Sequence, residues 1–297
     1  KPHALVAGAR IASGDWLLFT DADTEHRPGS LRTLVARAEE SGLSMLSISP
    51  GQRLERWWER AVIPLVFAQL AQLYRFADVS NPHSPVAAAN GQYILIRREI
   101  YESTGGHAAA PDAILEDVAL AGRVKAAGGG LLFLPGAEWA ETRMYGTFGA
   151  MWQGWTKNLF LLLERDTGKI RNVVLERMLL DWLPGVLAPI LFAFAVFGKQ
   201  RERMAIAGFA CLGVFAVRQG LYRRQLRQAG FPPRLAKYIF AGAPLVSALM
   251  LNSMRAYRAY RSGRPGGSIR WKGRSYPAQP APSARLDQPG RPAKEAP

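Results

Sequence analysis

The stretch DWLLFTDADT, residues 15–24, decides how the rest of the chain is read. Trp16, Leu17, Leu18 and Phe19 form a short apolar run of the kind that makes a buried strand. It stops on two carboxylates, Asp21 and Asp23, with one alanine between them. In an open α/β sheet, ligands bind just beyond the C-terminal ends of the strands. A strand ending in D-x-D sets two hard oxygen donors at that edge, and residue alternation points both side chains the same way. Such a pair suits Mg2+ or Mn2+, which leave positions for water and a diphosphate. The plainer reading of the tripeptide alone is a solvated turn with a helix-capping Asp, and by itself D-x-D favours that reading.

Working outward, residues 3–13 predict a helix stopped by Gly14, and Pro28 opens a second helix from Gly29 to about Glu40. LSMLSISP predicts a strand stopped by Pro50, and Tyr93–Ile96 predicts another. AILEDVALAGRVKAAGG reads as a helix ending at Gly128, and GLLFLPG as a last strand before Pro135. Helix and strand alternate, which predicts a layered α/β domain with mostly parallel strands. Residues 53–76, with Trp57 and Trp58 ahead of an apolar stretch, fit a core helix and a bilayer-surface helix equally.

After Trp152 the composition changes. Residues 182–198, 204–217 and 238–251 are apolar runs; the first has the length of a spanning helix with its flanks, and the others are marginal. Basic clusters lie at 199–203, 218–228 and 255–264, and simple crossings cannot put all three in the cytoplasm. One apolar run is therefore expected to be a hairpin or interfacial helix. The chain carries 38 Lys+Arg against 23 Asp+Glu, a net +15, with the excess past Arg165. Basic clusters between apolar runs point to anionic lipid headgroups rather than nucleic acid. Cys211 lies alone in an apolar run and reads as a small buried hydrophobe, and no Cys/His zinc pattern occurs. The first residues lack Met and a signal-peptide core, so an upstream segment is expected. From Ser275 onward the Pro/Ala-rich sequence predicts disorder.

A second acidic pair, Glu116-Asp117, opens the helix of ILEDVALAGRVKAAG. The helix dipole favours acids there for structural reasons, but Asp117 also fits a general base held at a pocket rim. In FGAMWQGWTKNLF (148–160), Gln153, Trp155, Lys157 and Asn158 sit on an amphipathic helix. An indole can stack on a sugar, while Lys and Gln can bind diphosphate oxygens. An interfacial Trp/Lys belt is the alternative.

GDWLLFTDADT, ANGQYILIRREIYESTGGH, ILEDVALAGRVKAAG, RMYGTFGAMWQGWTKN and WKGRSY, in this order, resemble the family 2 glycosyltransferases. The resemblance is to membrane-associated bacterial members found with hopanoid and carotenoid-glycoside synthesis, and it covers most of residues 1–276. It implies a GT-A-like (Rossmann-like) mixed sheet flanked by helices, followed by C-terminal membrane helices. The implied organisation is a catalytic domain over 1–147, an interfacial region over 148–177, membrane-embedded helices over 178–254 and a basic Pro-rich tail over 255–297.

By the same resemblance, Asp21 and Asp23 would hold a divalent cation, Mg or Mn, and the donor diphosphate; Lys1, Gln153, Trp155 and Lys157 would lie on the donor side. Asp117 would be the catalytic base with Glu116 beside it, and Asn90, Gly91, Gln92 and His107 would face the acceptor. For His107 a hydrogen-bonded structural histidine is the competing reading. The implied reaction is inverting transfer from a UDP- or GDP-sugar to an isoprenoid- or hopanoid-like lipid at the bacterial inner membrane, with the catalytic domain cytoplasmic. The family's Q-x-x-R-W is here Q-G-W-T-K-N, which counts against a processive polysaccharide synthase. A non-catalytic membrane scaffold is the reading from another class. By the resemblance, the family's earlier nucleotide-binding strands would precede Lys1, so a fragment is expected, with a degenerate relative of the family as the alternative.

Overall fold

A computed structural model describes residues 2–111, 113–261, 269–271 and 274–276. Helix α1 (Pro2–Ile11) leads into β1 (Trp16–Thr20), a short β2 (Thr24–His26) and α2 (Ser30–Glu40). There follow β3 (Met45–Gln52), α3 (Trp57–Leu73), α4 (Phe76–Ser80), β4 (Tyr93–Arg97) and α5 (Arg98–Ser103). A 3-10 turn (Gly106–Ala109), α6 (Glu116–Ala126) and β5 (Leu131–Thr142) complete the sheet domain.

The five strands lie in the order β1-β4-β3-β5-β2. Only β3 and β5 run parallel; β4 is antiparallel to both β1 and β3, and β2 to β5. The sheet is thus mixed and flanked by helices, as a GT-A-like domain requires, and the expectation of mostly parallel strands is corrected. Alternating elements carry no information on direction: the long segment 81–92 reverses the chain and inserts β4 between its neighbours. Pro50 and Pro135 do not stop their strands either. They sit in adjacent rungs of the β3–β5 pair, just before its register shifts at Pro50/Gly51, where a missing N–H is tolerated.

Period-two burial divides the sheet between two apolar layers. Leu34 and Ala38 of α2 cover Leu46, Ile48, Tyr93 and Leu95 on one face. Leu120, Ala121 and Val124 of α6 cover Met45, Ile94, Ile96 and Phe133 on the other. A third core joins α3 to the C-terminal part. Val62, Leu65 and Val66 are fully buried there, so α3 is a core helix, although Trp57 at its start is 57% exposed.

Beyond the sheet, α7 (Phe148–Leu162) and α8 (Thr167–Glu176) pass through a π-helical turn (Arg177–Trp182) into α9 (Leu183–Phe197). Then come α10 (Arg201–Gln228), a 3-10 turn (Pro233–Tyr238) and α11 (Ile239–Arg261). Strands β6 (Ile269–Trp271) and β7 (Arg274–Tyr276) pair antiparallel, so the expectation of disorder from Ser275 begins too early; residues 277–297 lie outside those described. Among the described residues, three segments are long and apolar enough to cross a membrane: Thr167–Phe197, Arg201–Gln228 and Pro233–Ala259. Cys211 is only partly buried, because α10 keeps most of its surface exposed.

Candidate active site

β1 ends at Thr20, and the aspartates fall in a tight turn in which the Thr24 N–H donates to the Asp21 carbonyl at 3.1 Å. Strand alternation therefore does not set their directions, a second correction to the sequence reading. The turn is pinned instead by Thr142, whose hydroxyl donates to the Asp23 carbonyl at 3.0 Å. The Thr20 hydroxyl donates to the Gln92 carbonyl at 3.0 Å.

That bond begins a continuous path to the second acidic pair. Asn90, Gly91 and Gln92 form the turn into β4. The Gln92 N–H donates to Asn90 Oδ1 at 3.1 Å, and Gln92 Oε1 accepts from Asn90 Nδ2 and Gln52 Nε2. Between them, the Gly91 N–H donates to Asp117 Oδ2 at 2.9 Å, and Val118 N–H donates to Asp117 Oδ1 at 2.9 Å. The second bond is helix geometry, since a carboxylate in the first turn of α6 meets N–H groups without intrahelical partners. The D-x-D turn and Asp117 are thus joined through Thr20, Gln92 and Gly91, across about 100 residues of sequence.

Asp117, Asn90 and Gln92 form one wall of a cavity of about 160 Å3. Tyr74, Trp155 and Asn158 also line it, among apolar side chains. Trp155 Nε1 and Asn158 Oδ1 are buried without a hydrogen-bond partner, and an unmade bond of that kind costs about 1–3 kcal/mol. Burial pushes the Tyr74 hydroxyl up to about 12, with Glu164 and Asp117 adding to the shift. Tyr145 is pushed higher still by burial, with a contribution from Asp23, and its ring lies 6.1 Å from that of Trp155. Neither Asp21 nor Asp23 lines this cavity with Asp117; the Asp23 charge acts on the Tyr145 hydroxyl, and Tyr145 neighbours Trp155 of the cavity lining. A wider surface hollow of about 600 Å3 beside His26, Arg27 and Arg32 contains none of these carboxylates and is not the candidate site.

The expected residues do not all converge. Gln153 is exposed, two positions and half a helical turn from the buried Trp155, so the two do not share a wall. Lys157 and Glu116 are half-buried and do not line the cavity. His107 is 2% exposed, with Nδ1 3.1 Å from the Tyr101 hydroxyl and its ring 4.7 Å from that of Phe19. It occupies the position of a hydrogen-bonded core histidine. Lys1 lies outside the described residues. Sequence reasoning missed Tyr145, Gln52 and Tyr74. Tyr145 had one available signal: it precedes the α7 motif by less than three turns, and Gly154 leaves room for its ring, because a Cβ there would come within 2.6 Å of it.

Residues 1–105 match the family described as glycosyl transferase family 2. The chain is 26% identical over 283 residues to 4,4'-diaponeurosporenoate glycosyltransferase of Staphylococcus aureus (strain USA300), covering 93% of this chain and 70% of that protein. The strain MRSA252 protein is 25% identical over the same length. Among solved structures, mannosyltransferase PcManGT from Pyrobaculum calidifontis, in complex with GDP-Man and Mn2+, is 18% identical with a TM-score of 0.43; the match covers 85% of this chain and 65% of that one. S. aureus TarS 1–349 in complex with UDP-GlcNAc is 13% identical with a TM-score of 0.29, covering 91% and 74%.

Proposed function

We propose that the protein transfers one sugar, with inversion, from a nucleotide-sugar to a hydroxyl or carboxyl oxygen of a lipid at a membrane. The observation that carries this reading is the position of Asp117: a carboxylate fixed by two backbone N–H groups on the wall of a largely apolar cavity. An oxygen nucleophile entering from the apolar side meets Asp117 as its base. The acceptor oxygen bonds to the anomeric carbon, the bond from that carbon to the donor diphosphate breaks, and its electron pair leaves with the nucleotide. Asp117 takes the proton where the acceptor is a hydroxyl. A single displacement of this kind inverts the anomeric centre. The relatives named as diaponeurosporenoate glycosyltransferases act, by that name, on an apolar carboxylate, which supports a lipid acceptor.

The donor side is read from the D-x-D turn. Among the described residues no group of three or more His, Cys, Asp or Glu could cage a metal. Two carboxylates with the donor's own phosphate oxygens fit Mg2+ or Mn2+, which keep ligand positions for substrate. Asp21 and Asp23 would hold such an ion, which would offset the charge developing on the leaving diphosphate. The unpartnered Trp155 N–H and Asn158 carbonyl supply a donor and an acceptor for sugar hydroxyls. A panel of UDP- and GDP-sugars, tested with Mn2+ for thermal protection and for transfer to extracted membrane lipids, tests the reading. Protection by one donor with a single-sugar lipid product is expected. Protection by none of the donors, with or without metal, would overturn it.

A further inference from the structure

The three apolar segments are not alike once packed. In the central part of α11 half of the residues are buried inside the protein, whereas in α10 only 6% are. α11 is seated on the catalytic body: a Cβ on Gly242 would come 2.3 Å from the Ala61 carbonyl, and Ser253 Oγ bonds both the Phe160 N–H and the Thr156 carbonyl. α9 and α10 instead form a hairpin packed chiefly on itself. Phe192 and Phe209 meet edge-to-face at 5.0 Å, with Gly208 giving Phe192 its close approach. Phe194, Phe197 and Ile206 are exposed, and Phe209 stays largely exposed beside Phe192.

Length poses a difficulty that charge resolves. Between flanking charges, the run 182–198 offers about 25 Å and the run 204–217 about 21 Å at 1.5 Å per residue, short of the ~30 Å hydrocarbon layer. The residues just below are Arg177, Asp181 and Arg218, and they are not free charges. Arg177 Nη1 donates to Asp181 Oδ2 at 2.8 Å, Arg218 Nε to Asp181 Oδ1 at 2.7 Å and Arg218 Nη2 to Glu176 Oε1 at 2.5 Å. Two cations and two anions sum to zero. At the same level Leu179, Val217 and Leu221 face outward and exposed. Counting through this neutral cluster, the lengths become about 33 Å over 177–198 and about 28 Å over 204–222. Free charges resume with Lys199, Arg201 and Arg203 at the tip and Arg223, Arg224 and Arg227 at the base.

We infer that α9 and α10 cross the bilayer as one helical hairpin, closed at its base by the Arg177–Asp181–Arg218–Glu176 cluster, and that α11 does not cross. Both ends of α11 then lie on the side of the catalytic body, which reconciles two of the three basic clusters with the positive-inside rule. The tip alone lies opposite. This rests on the membrane placement in the proposed function but not on the transfer reaction.

The test uses the whole chain in sealed phosphatidylethanolamine/phosphatidylglycerol vesicles, with a membrane-impermeant maleimide and a Cys211→Ser background. Ser103→Cys, Lys237→Cys and Arg258→Cys are expected to label from one side, and Gln200→Cys from the other. Gln200→Cys labelling with Ser103→Cys, or Arg258→Cys labelling opposite to Lys237→Cys, would overturn the topology. Asp181→Asn, which leaves the cluster with net charge, is expected to cut the fraction retained after alkaline carbonate at least fivefold. Asp181→Asn with Arg218→Gln, which returns it to zero, is expected to recover most of that loss. Retention unchanged in the single variant, or no recovery in the double, would overturn the role of the cluster. Correct sidedness with no sugar transfer would leave the hairpin standing and remove the proposed function instead.

Discussion

Asp117 accepts one backbone N–H on each oxygen, which fixes its carboxylate against Gly91 and the start of α6. Asparagine in its place keeps the size and loses the basicity. General-base catalysis is worth about 10²–10⁴-fold, so Asp117→Asn is expected to lower kcat by at least 100-fold while donor affinity stays within about twofold. Single-turnover transfer and donor titration measure the two separately, and an unchanged kcat would remove Asp117 from the chemistry. Trp155→Phe asks a different question. It deletes a buried N–H with no partner together with the fused five-membered ring. Relief of its desolvation is expected to leave stability unchanged or raise it by about 1 kcal/mol, while donor affinity falls several-fold. A thermal melt and the same titration check the opposed signs; parallel losses in both would mean that Trp155 only packs. These two residues were legible in the sequence because their chemistry is carried by type and local setting. Tyr145 was not, because its importance comes from lying near both Asp23 and Trp155, a relation that only folding creates.

The cavity depends on how α6 is held against the chain that precedes β4. Lys125, two turns beyond Asp117, spends its three N–H bonds on the carbonyls of Asp78, Val79 and Val86, at 3.3, 2.8 and 2.6 Å. Burial lowers its pKa, but three carbonyl dipoles receive the charge. The segment 78–92 is therefore fastened to α6 at its start by Lys125 and at its end by the Gly91–Asp117 bond. Lys125→Met leaves those carbonyls without their donor. A loss of about 1–3 kcal/mol in stability is expected, with a fall in kcat larger than in donor affinity, because Asp117 loses its register with Gly91. Denaturant melts and steady-state kinetics distinguish this from simple unfolding, and an unchanged kcat in the folded fraction would show that the clamp serves stability alone. Element identities were legible here: the strand at 16–20, the helix from Glu116 and the strand at 93–97 all follow from apolar spacing and Gly/Pro punctuation. Strand direction and strand length were not. Pro50 and Pro135 read as stops but lie side by side near a register shift, and the reversal of β4 depends on a segment with no regular structure between Asn81 and Gln92.

For the molecule as a whole, charge and apolar surface act on different steps of membrane association. A net charge of +15 speeds the approach to an anionic surface and is screened by salt. A hairpin of exposed Phe, Leu and Ile side chains, once inside hydrocarbon, is not screened. At 1 M salt the Debye length is about 3 Å, against about 8 Å at physiological ionic strength. The rate of association with phosphatidylglycerol vesicles is therefore expected to fall at least tenfold between low and high salt. The fraction already bound is expected to remain after a 1 M NaCl wash. Phe194→Asp together with Phe209→Asp, which charges both faces of the hairpin, is expected to leave the fast association intact and to make the bound fraction salt-labile. Stopped-flow association and vesicle flotation measure the two steps. Release of the unaltered chain by salt alone would mean that the basic surface, rather than the apolar hairpin, holds the chain on the vesicle.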